Sequence, residues 1–400
     1  MTGEWKECKL GDVAEIVGGG TPNTNESKYW NGEIAWLTPR DLSYFNGRYI
    51  SKGERNISKL GLAKSSAKIL PKGSVLLSSR APVGYLAIAL NEITTNQGFR
   101  SLIPNSNTDN LFLYYLLKNN VEYLKSQSTG TTFIELSGST LKSLSFLFPS
   151  LPEQRAIASV LSSLDDKIDL LHRQNKTLEA MAETLFRQWF VEEADEEWEE
   201  RNVTELFEIR DGTHDSPKQK EIGKALLTSK HILKDRLDIE NAYLISNEDF
   251  GNINRRSKVD TNDILFSMIG TIGLIYLEQS SEINYAIKNI GLFKTSQNPE
   301  WAYYTFLWLK SSLGQDFIHE HRSGSTQEYI SLGSLRSIVF RCPPTKLHRE
   351  FNEIINLYFN KIKFNNKQIR TLEKLRDTLL PKLMSGEVRV EFAQGDQPDE

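Results

Sequence analysis

The sequence predicts an α+β protein in which two similar globular domains are separated by two long helices that pair as an antiparallel coiled coil. Three observations predict it. The chain repeats itself, each repeat opens with short β-like runs bounded by turn formers, and each repeat closes on an apolar pattern of period 3.5.

The repeat is carried by ordered matches at a nearly constant offset. Gly130-Thr131-Thr132-Phe133 falls on Gly324-Ser325-Thr326-Gln327, 194 residues on, and Ser137, Leu144, Pro149 and Gln174 fall on Ser331, Ile338, Pro343 and Gln368. Trp5, Glu15, Ile16 and Gly19 fall on Trp198, Glu208, Ile209 and Gly212 at 193, and Val75-Leu76-Leu77-Ser78 falls on Ile264-Leu265-Phe266-Ser267 at 189. Small changes of offset are what loop insertions leave behind. The expected boundaries are 1–150 and 195–343 for the globular parts, 151–194 and 344–386 for the helices, and 387–400 for a tail.

Each globular part is rich in Gly, Ser, Thr, Asn and aromatic residues, with β-like runs at 74–78, 84–88 and 263–267. Each also carries one helical stretch, 111–124 and 301–317. Tyr114, Tyr115, Tyr303 and Tyr304 lie on these stretches and read as core rather than as base-stacking residues.

The long helix follows Pro152, a good first-turn residue. Its apolar positions are Ile157, Leu161, Leu164, Ile168, Leu171, Asn175, Leu178, Ala182, Leu185 and Trp189. The second copy gives Phe351, Ile355, Tyr358, Ile362, Asn365, Ile369, Leu372, Arg376, Leu379 and Leu383. A sustained 3.5 period marks a left-handed coiled coil. Neither stripe is expected to find its partner in its own globular domain, so the helices pair with each other. Asn175 and Asn365 interrupt the seams, either to fix register or as tolerated defects.

Composition excludes more than it selects. Mean hydropathy is −0.42, no run approaches a membrane span, and the first residues have no secretion-signal pattern, so the chain reads as cytoplasmic. The isolated Cys8 and Cys342 exclude a disulfide framework. His319 and His321 flank Glu320 without a further ligand cluster, so no metal is expected. The net charge of −4 argues against a broad basic surface. Seven of the nine residues at 192–200 are acidic, however, and without them the chain carries a small positive excess. That run reads as a solvated helix end and linker.

In this arrangement the chain resembles the specificity (S) subunits of type I restriction–modification systems. The resemblance is carried by Leu151-Pro152-Glu153-Gln154-Arg155-Ala156-Ile157 with Leu164-Asp165-Asp166-Lys167-Ile168, by Leu185-Phe186-Arg187-Gln188-Trp189-Phe190, and by 379–387 at the end of the second helix. Trp36-Leu37-Thr38-Pro39-Arg40-Asp41-Leu42 and Arg210-Asp211-Gly212-Thr213-His214 are similar to segments of the family's target-recognition domains. The second helix departs from the pattern: it opens with Pro343-Pro344-Thr345-Lys346-Leu347 and lacks Glu-Gln-Arg, so partner contacts there are expected to differ.

The resemblance implies a non-catalytic subunit whose two target-recognition domains each read one half of a bipartite, asymmetric DNA target. The helices set half-site separation and dock two methyltransferase subunits, through seam positions such as Ile157, Leu161, Leu164, Ile168, Leu171, Leu178, Leu185, Ile355, Ile362, Ile369, Leu372 and Leu379. Those partners use S-adenosylmethionine to methylate adenine, motor-nuclease subunits join them for cleavage, and the chain itself carries no cofactor.

Base reading needs side chains that reach base edges, and positioning needs cations and backbone amides on phosphates. The expected DNA-facing loops pair across the repeat. Gly19, Gly20 and Thr21 match Gly212, Thr213 and His214, with a plain tight turn as the alternative. Thr38 and Arg40 match Lys230 and His231. Arg80 and Gly84 match the loop of Gly270, although an exposed Arg is as often salt-bridged. Gln97 and Lys288 are weaker candidates. Thr129, Gly130 and Thr131 match Arg322, Ser323, Gly324, Ser325, Thr326 and Gln327, with a β-turn as the alternative.

No Walker A loop, dinucleotide fingerprint, Asn-Pro-Pro-Tyr or Asn-Pro-Pro-Phe segment, or nuclease carboxylate core is present in the sequence. The competing readings are a two-headed protein adaptor with a coiled-coil spacer, which the weak overall charge favours, and an enzyme with an unrecognised site.

Overall fold

The computed structural model describes residues 4–43, 45, 47–130, 134–234, 236–324 and 328–391. The chain forms two compact units, one of Met1–Leu171 with Gln368–Glu400 and one of His172–Lys367. Both long helices, Leu151–Arg187 and Thr345–Ser385, contribute to both units. Among the described residues no helix is long and apolar enough to cross a membrane.

The first unit holds a five-stranded sheet in the order Ala14–Gly18, Arg100–Pro104, Val75–Ser79, Val83–Ala89, Tyr49–Ile50. Beside it a three-stranded sheet runs Arg55–Ile57, Trp30–Leu37, Thr94–Thr95. The strand Val75–Ser79 is buried along its whole length because both faces are covered. Val75 and Leu77 point into one core with Phe112, Tyr115 and Leu117, while Leu76 points into another with Leu37, Ile93 and Phe99.

The second unit repeats this plan. Its sheets run Ile209–Asp211, Ile290–Phe293, Ile264–Ser267, Ile275–Leu277 and Leu244–Ile245, Lys224–Leu227, Tyr285–Ile287. Ile264 and Phe266 enter one core and Leu265 another. The duplication reaches individual hydrogen bonds. Ser78 Oγ donates to the Pro82 carbonyl and accepts from Tyr85 N; Ser267 Oγ does the same with Thr271 and Leu274.

Each expected single helix is two. Asn110–Asn119 is followed by Val121–Ser126, and Ala302–Lys310 by Ser312–Glu320. Asn120 leaves helical geometry and donates Nδ2 to the Leu116 carbonyl, and Ser311 turns extended to cap the next helix. The four tyrosines sit inside: Tyr114, Tyr115 and Tyr304 are buried, and Tyr303 is half-buried with its ring stacked on Phe359 at 4.4 Å.

The long helices run antiparallel in each unit. In the first unit Asp165 pairs with Arg376 at 2.9 Å, and Ile168 and Leu171 pack with Ile369 and Leu372. In the second, Phe186 packs on Phe351, and Asn365 Nδ2 donates to Asn175 Oδ1 at 2.8 Å while Asn175 Nδ2 donates to Asn366 Oδ1 at 2.8 Å.

Two expectations about the seam are corrected. The helix ends do find partners in the globular domains: Ile157 and Leu161 belong to the first domain's core, and Phe351, Ile355 and Ile362 to the second's. The 3.5 spacing also fails toward the ends. Phe186, Phe359 and Leu380 are buried, whereas Leu164, Leu178, Leu185, Tyr358, Leu372 and Leu379 are half-buried. A straight helix drifts by roughly 20° per heptad from a 3.5 repeat, and a domain beside it buries a wider face than a second helix does.

The Glu-Gln of the first helix is internal. Glu153 is fully buried against the Arg389 guanidinium at 2.5 and 2.9 Å, and Gln154 bonds Asp109 N and the Asn107 and Pro149 carbonyls. At the equivalent place in the second copy the buried His348 lies 4.3 Å from the Trp301 ring.

Two stability predictions arise here. Burial alone would raise the Asp165 carboxyl, but Lys118, the Tyr115 hydroxyl and Arg376 outweigh it and hold it below the ordinary carboxylate range. Its contribution is therefore present above about pH 4 and is lost as pH falls through the depressed folded value. Asp165→Asn is expected to weaken the protein at pH 7 yet flatten its acid-denaturation profile, as read by circular dichroism. Asn365→Leu strands part of Asn175 and should cost about 1–3 kcal/mol in urea unfolding, most of it recovered in the Asn175→Leu/Asn365→Leu double variant.

Candidate nucleic-acid interface

Strand pairing brings the expected loops of each domain to one end of its sheet. In the first unit Gly20 N donates to the Thr95 carbonyl, Ser79 N to Gly98, Asn96 N to Leu37 and Leu136 N to Ser79. These bonds join 18–21, 36–40, 79–82, 95–100 and 134–136. Thr21 Oγ1 bonds Gln97 Oε1, and Trp36 Nε1 donates to the Gly20 carbonyl at 2.9 Å. A methyl on Gly19 would fall on the Thr95 and Asn96 carbonyls, so the turn exists only because glycine lets two backbones meet.

The second unit repeats the cluster with other side chains. Gly212 N donates to Ile290, Thr213 N to Ile287, Lys288 N to Leu227 and Ile330 N to Met268. His214 is exposed, with Nε2 2.9 Å from Asp211 Oδ2 and Nδ1 2.8 Å from Asn289 Oδ1. Lys288 Nζ reaches Ser216 Oγ, and Gly270 sits exposed at φ 81°.

The individual side chains separate into three groups. Arg40 and Lys230 are exposed, and no ion pair holds either among the described residues. Thr38 instead forms a capping box with Asp41. Arg80 is salt-bridged, 3.8 Å from Glu135, whose other oxygen accepts from Arg100 Nη2 at 2.8 Å. Arg322 likewise lies 3.5 Å from Glu328.

Other candidates are structural. His231 is turned inward, where Nδ1 accepts from Thr228 N at 2.8 Å; burial and the neighbouring Lys230 lower its pKa and keep the ring neutral for that role. It caps a turn, as Asp41 does in the first copy. Gly84 lies in a strand with φ 107°, and a methyl there would strike Val121.

Thr129 and Ser323 close equivalent short hairpins through Glu135 and Tyr329, with Gly130 and Gly324 both at positive φ beyond them. Thr131, Ser325, Thr326 and Gln327 lie outside the described residues.

Arg100 and Glu135 were not legible as site residues. Only the pairing of Ser78 with Phe99 and of Arg80 with Glu135 places them beside Arg80. Across the repeat their places are taken by Gly291 and Tyr329, and that of Arg80 by Ile269, so the two domains differ where their loops converge. Among the described residues no three His, Cys, Asp or Glu side chains are gathered for a metal.

Comparison places this two-domain, two-helix chain among DNA-specificity proteins. The family model "type I restriction modification DNA specificity domain" matches twice, over residues 2–180 and 195–374, and the chain belongs to that family. It is similar to the MjaIX specificity subunit of Methanocaldococcus jannaschii, 35% identical over 97% of this chain and 94% of that one. The MjaVIII specificity subunit of the same organism is 22% identical over 97% and 93%. The crystal structure of the type I restriction–modification S subunit from M. genitalium shares the fold, with a TM-score of 0.56 at 18% identity, covering 97% of each chain.

Two glycines separate steric from conformational demand. Gly19→Ala is expected to lower stability by about 1–3 kcal/mol through overpacking. Gly270→Ala, with open space around it but positive φ, should cost about 1 kcal/mol. Thermal unfolding of both variants checks the order.

Proposed function

We propose that this chain is the non-catalytic DNA-reading subunit of a type I restriction–modification complex in the cytoplasm, with 1–150 and 195–343 as target-recognition domains and 151–194 and 344–386 as the spacer. The observation that carries the reading is the pair of loop clusters, alike in backbone and unlike in side chains. Equal backbones point to one docking mode on the duplex, and different side chains to two different half-sites. Arg40, Lys230 and His214 are the side chains best placed to reach DNA, with Arg80 aimed by Glu135.

The spacer sets the separation of the half-sites and carries the enzymatic partners. Leu170 and Met181 are exposed on the first helix, and their equivalents 194 residues on, Phe364 and Leu375, are exposed on the second. Apolar side chains repeated on outward faces suit two copies of one partner, the methyltransferase subunit that brings S-adenosylmethionine. Motor-nuclease subunits would join through that assembly.

The test is to co-express the chain with a type I methyltransferase subunit and map adenine methylation across the host genome. A split, asymmetric motif that disappears without the chain is expected, and Arg40→Ala should degrade one half of it only. Unchanged methylation with a demonstrably active methyltransferase would sink the reading in favour of a protein adaptor.

A further inference from the structure

The second unit holds a feature that the loop clusters do not use. Arg210, Arg255, Arg256 and Arg336 line one open cleft of about 470 Å³ beside the loop of Asp211 and His214. Among the described residues two carboxylates serve these four guanidinium groups. Glu208 takes Arg210 through Nε at 2.6 Å, and Asp211 takes Arg256 at 2.5 Å and also faces His214. Among the described residues Arg336 donates only to the neutral Ile209 carbonyl, at 2.9 and 3.0 Å. Arg255 is exposed, and among the described residues it has no ion pair or hydrogen bond.

Pairing among the described residues therefore leaves two cations unneutralised in one concavity of a chain whose net charge is negative. Gathering like charges costs free energy unless an anion joins them. The C-terminus of the helix Asn247–Ser257 attracts cations by its dipole, which accounts for Arg255 and Arg256 alone. Arg210 and Arg336 come from a strand and another helix.

The cleft is not inherited through the duplication. Strand register places Val17 where Arg210 stands, and the 194 offset places Lys142 on Arg336. The helix capped by Ser246 has eleven residues, whereas its counterpart capped by Ser58 has five and ends before any such arginines.

We propose that this cleft is a phosphodiester-binding site, by which the second domain grips the DNA backbone next to its reading loop through Arg255, with Arg336 and Arg256 beside it. The inference rests on the DNA-reading function proposed above. A backbone grip adds affinity without sequence information, and its signature is salt dependence.

The experiment measures binding of the full chain to a labelled random-sequence duplex pool by anisotropy across a KCl series. Arg255→Gln is expected to reduce the slope of log K against log[KCl] by about 0.9, and Arg255→Gln/Arg336→Gln by about 1.8, with Arg255→Lys restoring the wild-type slope. Because Arg255 has no side-chain partner to lose among the described residues, its single variant should unfold at the wild-type temperature. An unchanged slope in Arg255→Gln, with the wild type bound, overturns the site and leaves the DNA reading intact. A wild-type chain without salt-dependent binding to the pool overturns the DNA reading and this site together. Saturable binding of inorganic phosphate, lost in Arg255→Gln while the DNA slope stays, would overturn the backbone grip by assigning the cleft to a free anion.

Discussion

Each domain is seated on two helix segments that are part of its own core, and the position of every loop depends on that seating. In the first unit the start of one helix supplies Ile157 and Leu161 and the end of the other supplies Leu380 and Leu383. In the second the contributions are Ala182 and Phe186 from the first helix and Phe351 and Ile355 from the second. Fully burying each of these Ile, Leu and Phe side chains is worth about 1.5–3 kcal/mol, so detaching a helix segment would open the domain. A reader tied to its spacer in this way cannot pivot on it freely. The same coupling explains why the Glu153–Arg389 pair is buried at the first helix's start: it closes the core where the chain's last described residues return.

The two copies share a plan but solve the helix joint with different chemistry. In the first unit Asp165 receives the Tyr115 hydroxyl at 2.6 Å and Arg376 at 2.9 Å, with Arg48 bonded to Tyr115 at 3.0 Å. The 194 offset puts Phe359 and Ala182 at the equivalent places, where Phe359 stacks on Tyr303. An ionic joint demands fixed geometry, because a partner lost from a buried pair leaves an uncompensated charge. An aromatic joint tolerates more adjustment. Divergence at the reading loops follows the same rule: backbone hydrogen bonds are kept, while Arg80, Arg100 and Glu135 give way to Ile269, Gly291 and Tyr329.

Net charge is a poor guide to this molecule because its acids and bases are unevenly distributed. Seven acidic residues are confined to 192–200, and several arginines are gathered around Asp211. DNA attraction falls off within a Debye length of roughly 10 Å, so the local excess at a loop matters more than the sum over the chain.

What the sequence determined by itself was the architecture: the duplication, the β-runs at 74–78 and 263–267, and two long helices with their apolar stripes. These are legible because periodicity and repetition are written along the chain. The positions of Gly19 and Gly212 were legible too, since a close backbone approach admits no other residue. Tertiary structure alone decided where the stripes stop following 3.5 spacing, because that depends on which domain lies beside each turn. It turned His231 inward as a cap and tied Arg80 to Glu135, 55 positions away in sequence. It also brought Arg336 to Arg210. Electrostatic partners are chosen by distance in space, and a pattern of residue types along one chain does not encode that distance.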